Sequence, residues 1–262
     1  MSIAIENLSF SYGRFEALRG ITARAEAGRI TAVLGPNAAG KSTLLRCMIG
    51  ALRPSSGRVM IDKDQVHRIS ASLLAQRIAY VPQRSIVSAA FMVRQVVQLG
   101  RYALTPDPRK VELAIERLDL AGVADWPYPE LSVGQQQRVT IARALAQLGP
   151  RGHLILDEPV SAMDLRHSHQ CMSIFRELAE AGATVILAVH DLSLAAAVAD
   201  EAWLLDRGEL VSAGTIAEVM SVDGLERVFG VAFGWIEAPW GGRILAARPA
   251  GAEVRLQSGS HG

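Results

Sequence analysis

Short apolar runs punctuate the chain at residues 30–34, 78–81, 153–156, 184–189 and 202–205. Several are β-branched and none alternates with polar positions, a pattern that predicts strands buried on both faces of a parallel sheet. Between them, residues 41–49, 110–118, 135–146 and 168–181 read as helices. Strand and helix in alternation predict an α/β fold with a central, mainly parallel sheet.

Two regions depart from that rhythm. Near the start, residues 3–10 alternate apolar and polar, and residues 56–61 follow a turn signal, which together predict a small antiparallel β subdomain. The stretch 85–143 is helix-rich and interrupted by Pro106, Pro108, Pro127 and Pro129, as an inserted helical subdomain is. We expect one domain over 1–235, its helical insert at about 84–143, and a short tail over 236–262. The tail places Pro239-Trp240-Gly241-Gly242 as a turn between two short apolar runs, before a polar end expected to fray.

Composition narrows the class. Half of the 262 residues are apolar, enough for a large core. With 27 basic and 26 acidic residues, no charge excess points to nucleic acid. The start lacks a signal-peptide pattern and no uncharged apolar run approaches the roughly 18 residues of a membrane span, so a soluble chain is expected. Cys47 and Cys171 each fall in an apolar helical segment, which predicts buried reduced thiols rather than a disulfide.

The chemistry begins at Gly35-Pro36-Asn37-Ala38-Ala39-Gly40-Lys41-Ser42, which follows a strand and opens a helix. This is the GxxxxGK[ST] spacing in the context that gives it meaning. Successive backbone N–H groups curl around phosphates, and the helix N-terminus, with Thr43 in its first turn, adds partial positive charge. Lys41 supplies a full charge to the β- and γ-phosphates, and the Ser42 hydroxyl suits Mg²⁺. Further on, His153-Leu154-Ile155-Leu156-Asp157-Glu158-Pro159 ends an apolar strand in two acids. Carboxylates are costly there unless cations or hydrogen bonds meet them. Asp157 suits water-mediated Mg²⁺ binding, and Glu158 suits a general base that polarises the attacking water.

Those two motifs leave kinases, GTPases and helicases open. Leu131-Ser132-Val133-Gly134-Gln135-Gln136-Gln137-Arg138-Val139 narrows the choice, because it resembles the signature of ATP-binding cassette (ABC) proteins. Ser132 and Gln135 also have the capping-box spacing, which would start a helix with its positive end bare. The resemblance implies that Ser132, Gly134 and Gln135 cover the γ-phosphate bound to an opposite subunit. It further implies that Tyr12 stacks on adenine, that Gln83 meets Mg²⁺ and joins core to insert, and that His190 contacts the γ-phosphate. Ser161-Ala162-Met163-Asp164 resembles the family's D-loop, with Asp164 at the nucleotide interface. Every motif occurs in order over residues 1–230.

Two positions depart from the family pattern. Ala38 and Val133 stand where glycine is usual, so a positive φ at Ala38 is expected to cost on the order of 1 kcal/mol. Neither change removes a charged or proton-transferring group, and an active ATPase with modest kinetic differences is expected.

Softer stretches resemble the ATPases of iron–siderophore, haem and cobalamin importers: residues 73–77, 93–101 and 164–167, and the tail from Val228. That resemblance implies ATP and Mg²⁺ as ligands and an ATP-dependent dimer of two such domains. It also implies a separate membrane permease gripped by residues 84–101, an extracytoplasmic substrate-binding protein, and a peripheral place on the cytoplasmic face. His167 and His169, at i and i+2, do not share a helix face and are not expected to chelate cargo. Three alternatives stay open: an exporter ATPase, a non-transport ABC protein acting on DNA or ribosomes, and a non-catalytic nucleotide-binding scaffold.

Overall fold

The computed structural model describes residues 2–84, 91–239, 241 and 243–248. Its centre is a six-stranded sheet in the order β10-β9-β3-β8-β7-β6. The strands are β3 (Ile30–Leu34), β6 (Ile78–Val81), β7 (His153–Asp157), β8 (Thr184–Ala188), β9 (Glu201–Asp206) and β10 (Glu209–Thr215). All neighbours are parallel except β10, which runs antiparallel on the edge.

The missing alternation has a direct cause. Along β3, Ile30, Ala32 and Leu34 join one apolar cluster while Val33 joins the other. On β8 the same split separates Val185 and Leu187 from Ile186 and Ala188. One cluster takes in most of the helices and the other takes in a second sheet and the helix that opens at Lys41, so every position along these strands is buried.

That second sheet is antiparallel, in the order β2-β1-β4-β5, from β1 (Ser2–Tyr12), β2 (Phe15–Glu26), β4 (Ser56–Ile61) and β5 (Asp64–Gln65). The small antiparallel region expected near the start is therefore present and larger than its two visible runs. Its longest strand, β2, was not singled out from the sequence. Register shifts interrupt the β1–β2 pairing, and Asn7 adopts φ 46.

Helices α1 (Lys41–Met48) and α2 (Ala71–Arg77) precede β6. Between β6 and β7 lie α3 (Val93–Gln98), α4 (Pro108–Arg117) and α5 (Val133–Gln147), which pack on one another. The middle one begins at Pro108 because Asp107 caps it, its carboxylate accepting from Lys110 N at 3.3 Å. Residues 85–90, part of the stretch expected to grip a permease, lie outside the described residues.

After β7 come α6 (Leu165–Glu180), α7 (Leu192–Val198), α8 (Ile216–Val219) and α9 (Val222–Phe229). The tail forms a hairpin of β11 (Phe233–Glu237) and β12 (Arg243–Ala247). Since β11 starts at Phe233, the boundary drawn at 235/236 falls inside that strand. Trp240, Gly242 and the polar end from residue 249 lie outside the described residues.

Both cysteines are free and buried, and burial pushes each thiol up to about 12. Among the described residues, no helix is long and apolar enough to cross a membrane.

Candidate nucleotide-binding site

The parallel strands deliver the chemistry to one edge. Gly35 follows β3, Gln83 follows β6, Asp157 ends β7, and His190 stands two residues past β8. Because β3, β8, β7 and β6 are successive neighbours, the four termini line up where ligands bind open α/β sheets.

The loop from Gly35 to Gly40 has little freedom. Gly35 has φ 144, and a Cβ there would sit 2.2 Å from the Leu205 carbonyl oxygen. Only glycine lets the chain turn that close to β9. Ala38 adopts φ 63, so the condition for its expected strain is met. Ala39 is buried; its N–H donates to Pro36 O at 3.2 Å and its carbonyl accepts from Gly208 N at 3.0 Å. Pro36 is half-buried, and Asn37 is exposed.

Lys41 is 7% exposed, and its Nζ donates to Gly35 O at 2.7 Å and Pro36 O at 3.0 Å. Burial lowers its pKa, and the nearby Glu158 and Asp157 oppose that shift. The Ser42 hydroxyl donates to Asp157 Oδ1 at 3.1 Å. Asp157 is 2% exposed, and burial raises its pKa against the pull of that hydrogen bond.

Glu158 stands one residue further on with φ 48, an uncommon conformation for a non-glycine residue. Its N–H donates to Ala188 O at 2.9 Å, which fixes it beside β8. The side chain then meets two groups: Gln83 Nε2 donates to Glu158 Oε2 at 2.9 Å, and His190 Nδ1 lies 3.6 Å from the same oxygen. Gln83, Glu158 and His190 thus converge, and Ser42 with Asp157 forms an adjoining pair.

Sequence reasoning missed Tyr80 and Arg46. Burial, with the charge of Asp157 nearby, pushes the Tyr80 phenol up to about 12, while Arg46 acts on both groups. A lone hydroxyl-bearing residue within the apolar β6 run was the available signal.

Tyr12 sits at the β1–β2 turn, opposite Phe15, and is 45% exposed. Its ring meets Phe10 edge-on with centroids 4.8 Å apart.

Ser132, Gly134 and Gln135 form a separate group at the start of α5, Ser132 exposed and the other two half-buried. Ser132 caps the helix: its hydroxyl accepts from Gln135 N at 3.3 Å, and Gln135 Oε1 accepts from Ser132 N at 2.9 Å. The helix begins at Val133, two residues before the apolar periodicity shows it. Val133 is 69% exposed in the first turn, away from any packing. Asp164 caps α6, next to this group.

Residues 18–161 match the family model described as ABC transporter, and the chain belongs to that family. It is the ATP-binding subunit of an ABC transporter, an enzyme that hydrolyses ATP to power transport. Among its relatives is the hemin import ATP-binding protein HmuV of Ruegeria sp. (strain TM1040), 38% identical over 239 residues, which span 88% of this chain and 91% of that protein. A putative metal-chelate type ABC transporter in an inward-facing conformation is 26% identical, with TM-score 0.78 over 95% of this chain and 98% of that one. A dimeric ATP-binding cassette in a post-hydrolysis state, bound to ADP and Pi, is 25% identical, with TM-score 0.75 over 82% of this chain and 98% of that one.

Proposed function

We propose that this subunit works as one half of an ATP-sandwich dimer and energises import of a haem, iron–siderophore or cobalamin-type cargo through a separate permease. The observation that carries the catalytic part is the convergence of Gln83 and His190 on Glu158 beside the Ser42–Asp157 pair. The cargo class rests on the likeness to the haem-import relative across nearly its whole length.

In this reading the backbone of residues 35–40 and the Lys41 ammonium hold the β- and γ-phosphates. Glu158 accepts a proton from the attacking water as general base, and Gln83 and His190 hold its carboxylate in place. His190, 60% exposed, reaches the γ-phosphate from the β8 end. Tyr12 offers its exposed ring to adenine.

The site fits Mg²⁺ on its own chemistry: an oxygen-only pair, one member a deeply buried carboxylate that burial leaves reluctant to ionise. Ser42, Asp157 and Gln83 would hold the ion, which neutralises phosphate charge when bound.

Ser132, Gly134 and Gln135, with Asp164, face the nucleotide of the opposite subunit. Two sandwiched nucleotides then hold the dimer closed, and that differential binding drives the conformational change in the permease. Residues 84–101 dock on that permease, an extracytoplasmic binding protein delivers cargo, and the subunit sits peripherally on the cytoplasmic face.

The test is ATP hydrolysis by wild type beside Glu158→Gln, with size-exclusion chromatography in ATP and Mg²⁺. Loss of a positioned general base lowers turnover by about 100-fold or more, and the inactive variant should elute as an ATP-dependent dimer. Turnover unchanged in Glu158→Gln would remove Glu158 from the role of base.

A further inference from the structure

His167 stands in the first turn of α6, three residues after the helix cap Asp164. Its backbone N–H donates to Asp164 Oδ1 at 2.9 Å. Its ring Nδ1 lies 2.9 and 2.8 Å from the two oxygens of the same carboxylate. The backbone bond and the lowered pKa of Asp164 mark that group as an ionised acceptor, so Nδ1 donates to it.

The other ring nitrogen points elsewhere. Nε2 is buried without a hydrogen-bond partner and lies 3.7 Å from Asp119 Oδ2, an ion-pair contact when both ring nitrogens carry a proton. Asp119 belongs to the helical insert, in the turn after α4. Arg138 of α5 grips that turn, its Nη1 donating to Leu118 O at 2.8 Å and Asp119 O at 2.9 Å. One imidazole therefore stands between the cap of α6 and the turn that the helix bearing Ser132 holds. A cleft of about 270 Å³ joins these parts, lined by Ser132, Gly134, Arg138, Met163, Asp164 and His167.

We propose that His167 is a positioning residue that ties Asp164 to the 118–119 turn of the helical insert, so that the two segments facing the opposite subunit's nucleotide move as one unit. This rests on the sandwich-dimer reading. Without the tie, the signature end of α5 and the 161–164 loop are presented to the partner independently, and closure must order them separately. Nucleotide binding by the monomer, which depends on the strand ends, is untouched.

The test uses Glu158→Gln as parent, with His167→Ala, His167→Asn and His167→Gln added. Asparagine places an amide near the Nδ1 position and keeps the Asp164 bond; glutamine reaches toward the Nε2 position and keeps the side facing Asp119. Two quantities are measured: the ATP concentration that half-converts the protein to dimer, and the affinity of dilute monomer for a fluorescent ATP analogue.

His167→Ala is expected to raise the dimerisation midpoint about tenfold, as loss of a hydrogen bond to a charged group does. Asparagine and glutamine should each recover part of that loss, and monomer affinity should stay within about twofold, well below the tenfold that 1.4 kcal/mol represents. Parent-like dimerisation of all three variants would overturn the proposal, and so would an equal loss of monomer affinity. A parent that never dimerises would instead sink the sandwich reading and this proposal together.

Discussion

Lys41, Asp157 and Glu158 reach their places from the ends of strands buried on both faces, whereas Ser132 and Gly134 lie at the open start of one helix. The first group is knit together within one chain: Ser42 bonds Asp157, Gln83 bonds Glu158, and Lys41 is wrapped by its own loop. The second group has its local cap and little else, with Val133 standing 69% exposed. The difference teaches that the two halves of the site are prepared by different means. In the proposed function, strand ends set the phosphate chemistry through hydrogen bonds made within one chain. In the proposed sandwich the covering half is left as a surface, and on the His167 proposal its accuracy depends on how the helical insert is held against the rest.

Changes on either side of that divide should therefore fail differently. The largest effect is expected from Gly35→Ala, where a strained φ of 144 combines with a Cβ 2.2 Å from the Leu205 carbonyl. Urea denaturation should show a loss of about 2–3 kcal/mol, and nucleotide affinity of the monomer should fall with it. Wild-type stability in this variant would mean the loop is looser than the strand-end half requires.

Gly134→Ala sits on the other side. Its Cβ would lie 2.9 Å from Ala162 O, pressing the signature turn away from the 161–164 loop. Global stability should change by less than about 1 kcal/mol, since Gly134 is only half-buried and lies outside the packed apolar clusters. ATP-driven dimerisation should weaken, read as a higher ATP midpoint in the Glu158→Gln background. A matching drop in monomer affinity would erase the contrast between the halves.

Ala38→Gly is the smallest. It relieves a positive φ of 63, worth on the order of 1 kcal/mol. The added freedom of the unfolded chain offsets about 0.4–1 kcal/mol of that. Denaturation midpoints should nearly coincide, and turnover should stay close to wild type. A large rise in turnover would show that the alanine throttles the loop.

Much of the strand-end half was legible because its signals are local and redundant. The runs at 30–34 and 78–81 coincide with β3 and β6, since strands buried on both faces cannot hide behind alternation. The phosphate loop and the Asp157-Glu158 pair announce themselves by spacing. Other features were not legible because they are made by tertiary contact. The β2 strand carries charges along its exposed positions and a shifted register against β1, so no clean period of two survives. The start of α5 was placed late because Val133 and Gly134 interrupt the periodicity, although the Ser132 cap fixes Val133 as the first helical residue. His167 meets Asp164 three positions before it and Asp119 48 positions before it, and no spacing rule reveals the second contact.

The sealed thiols of Cys47 and Cys171 have a practical consequence for spectroscopy. Held protonated and without exposure, they present almost no thiolate to a maleimide or a methanethiosulfonate reagent at neutral pH. The native chain is therefore a silent background for labelling. A cysteine introduced at Val133 would take a spin label selectively, and two such labels in a mixed or homomeric pair would report the gap between subunits through their dipolar coupling.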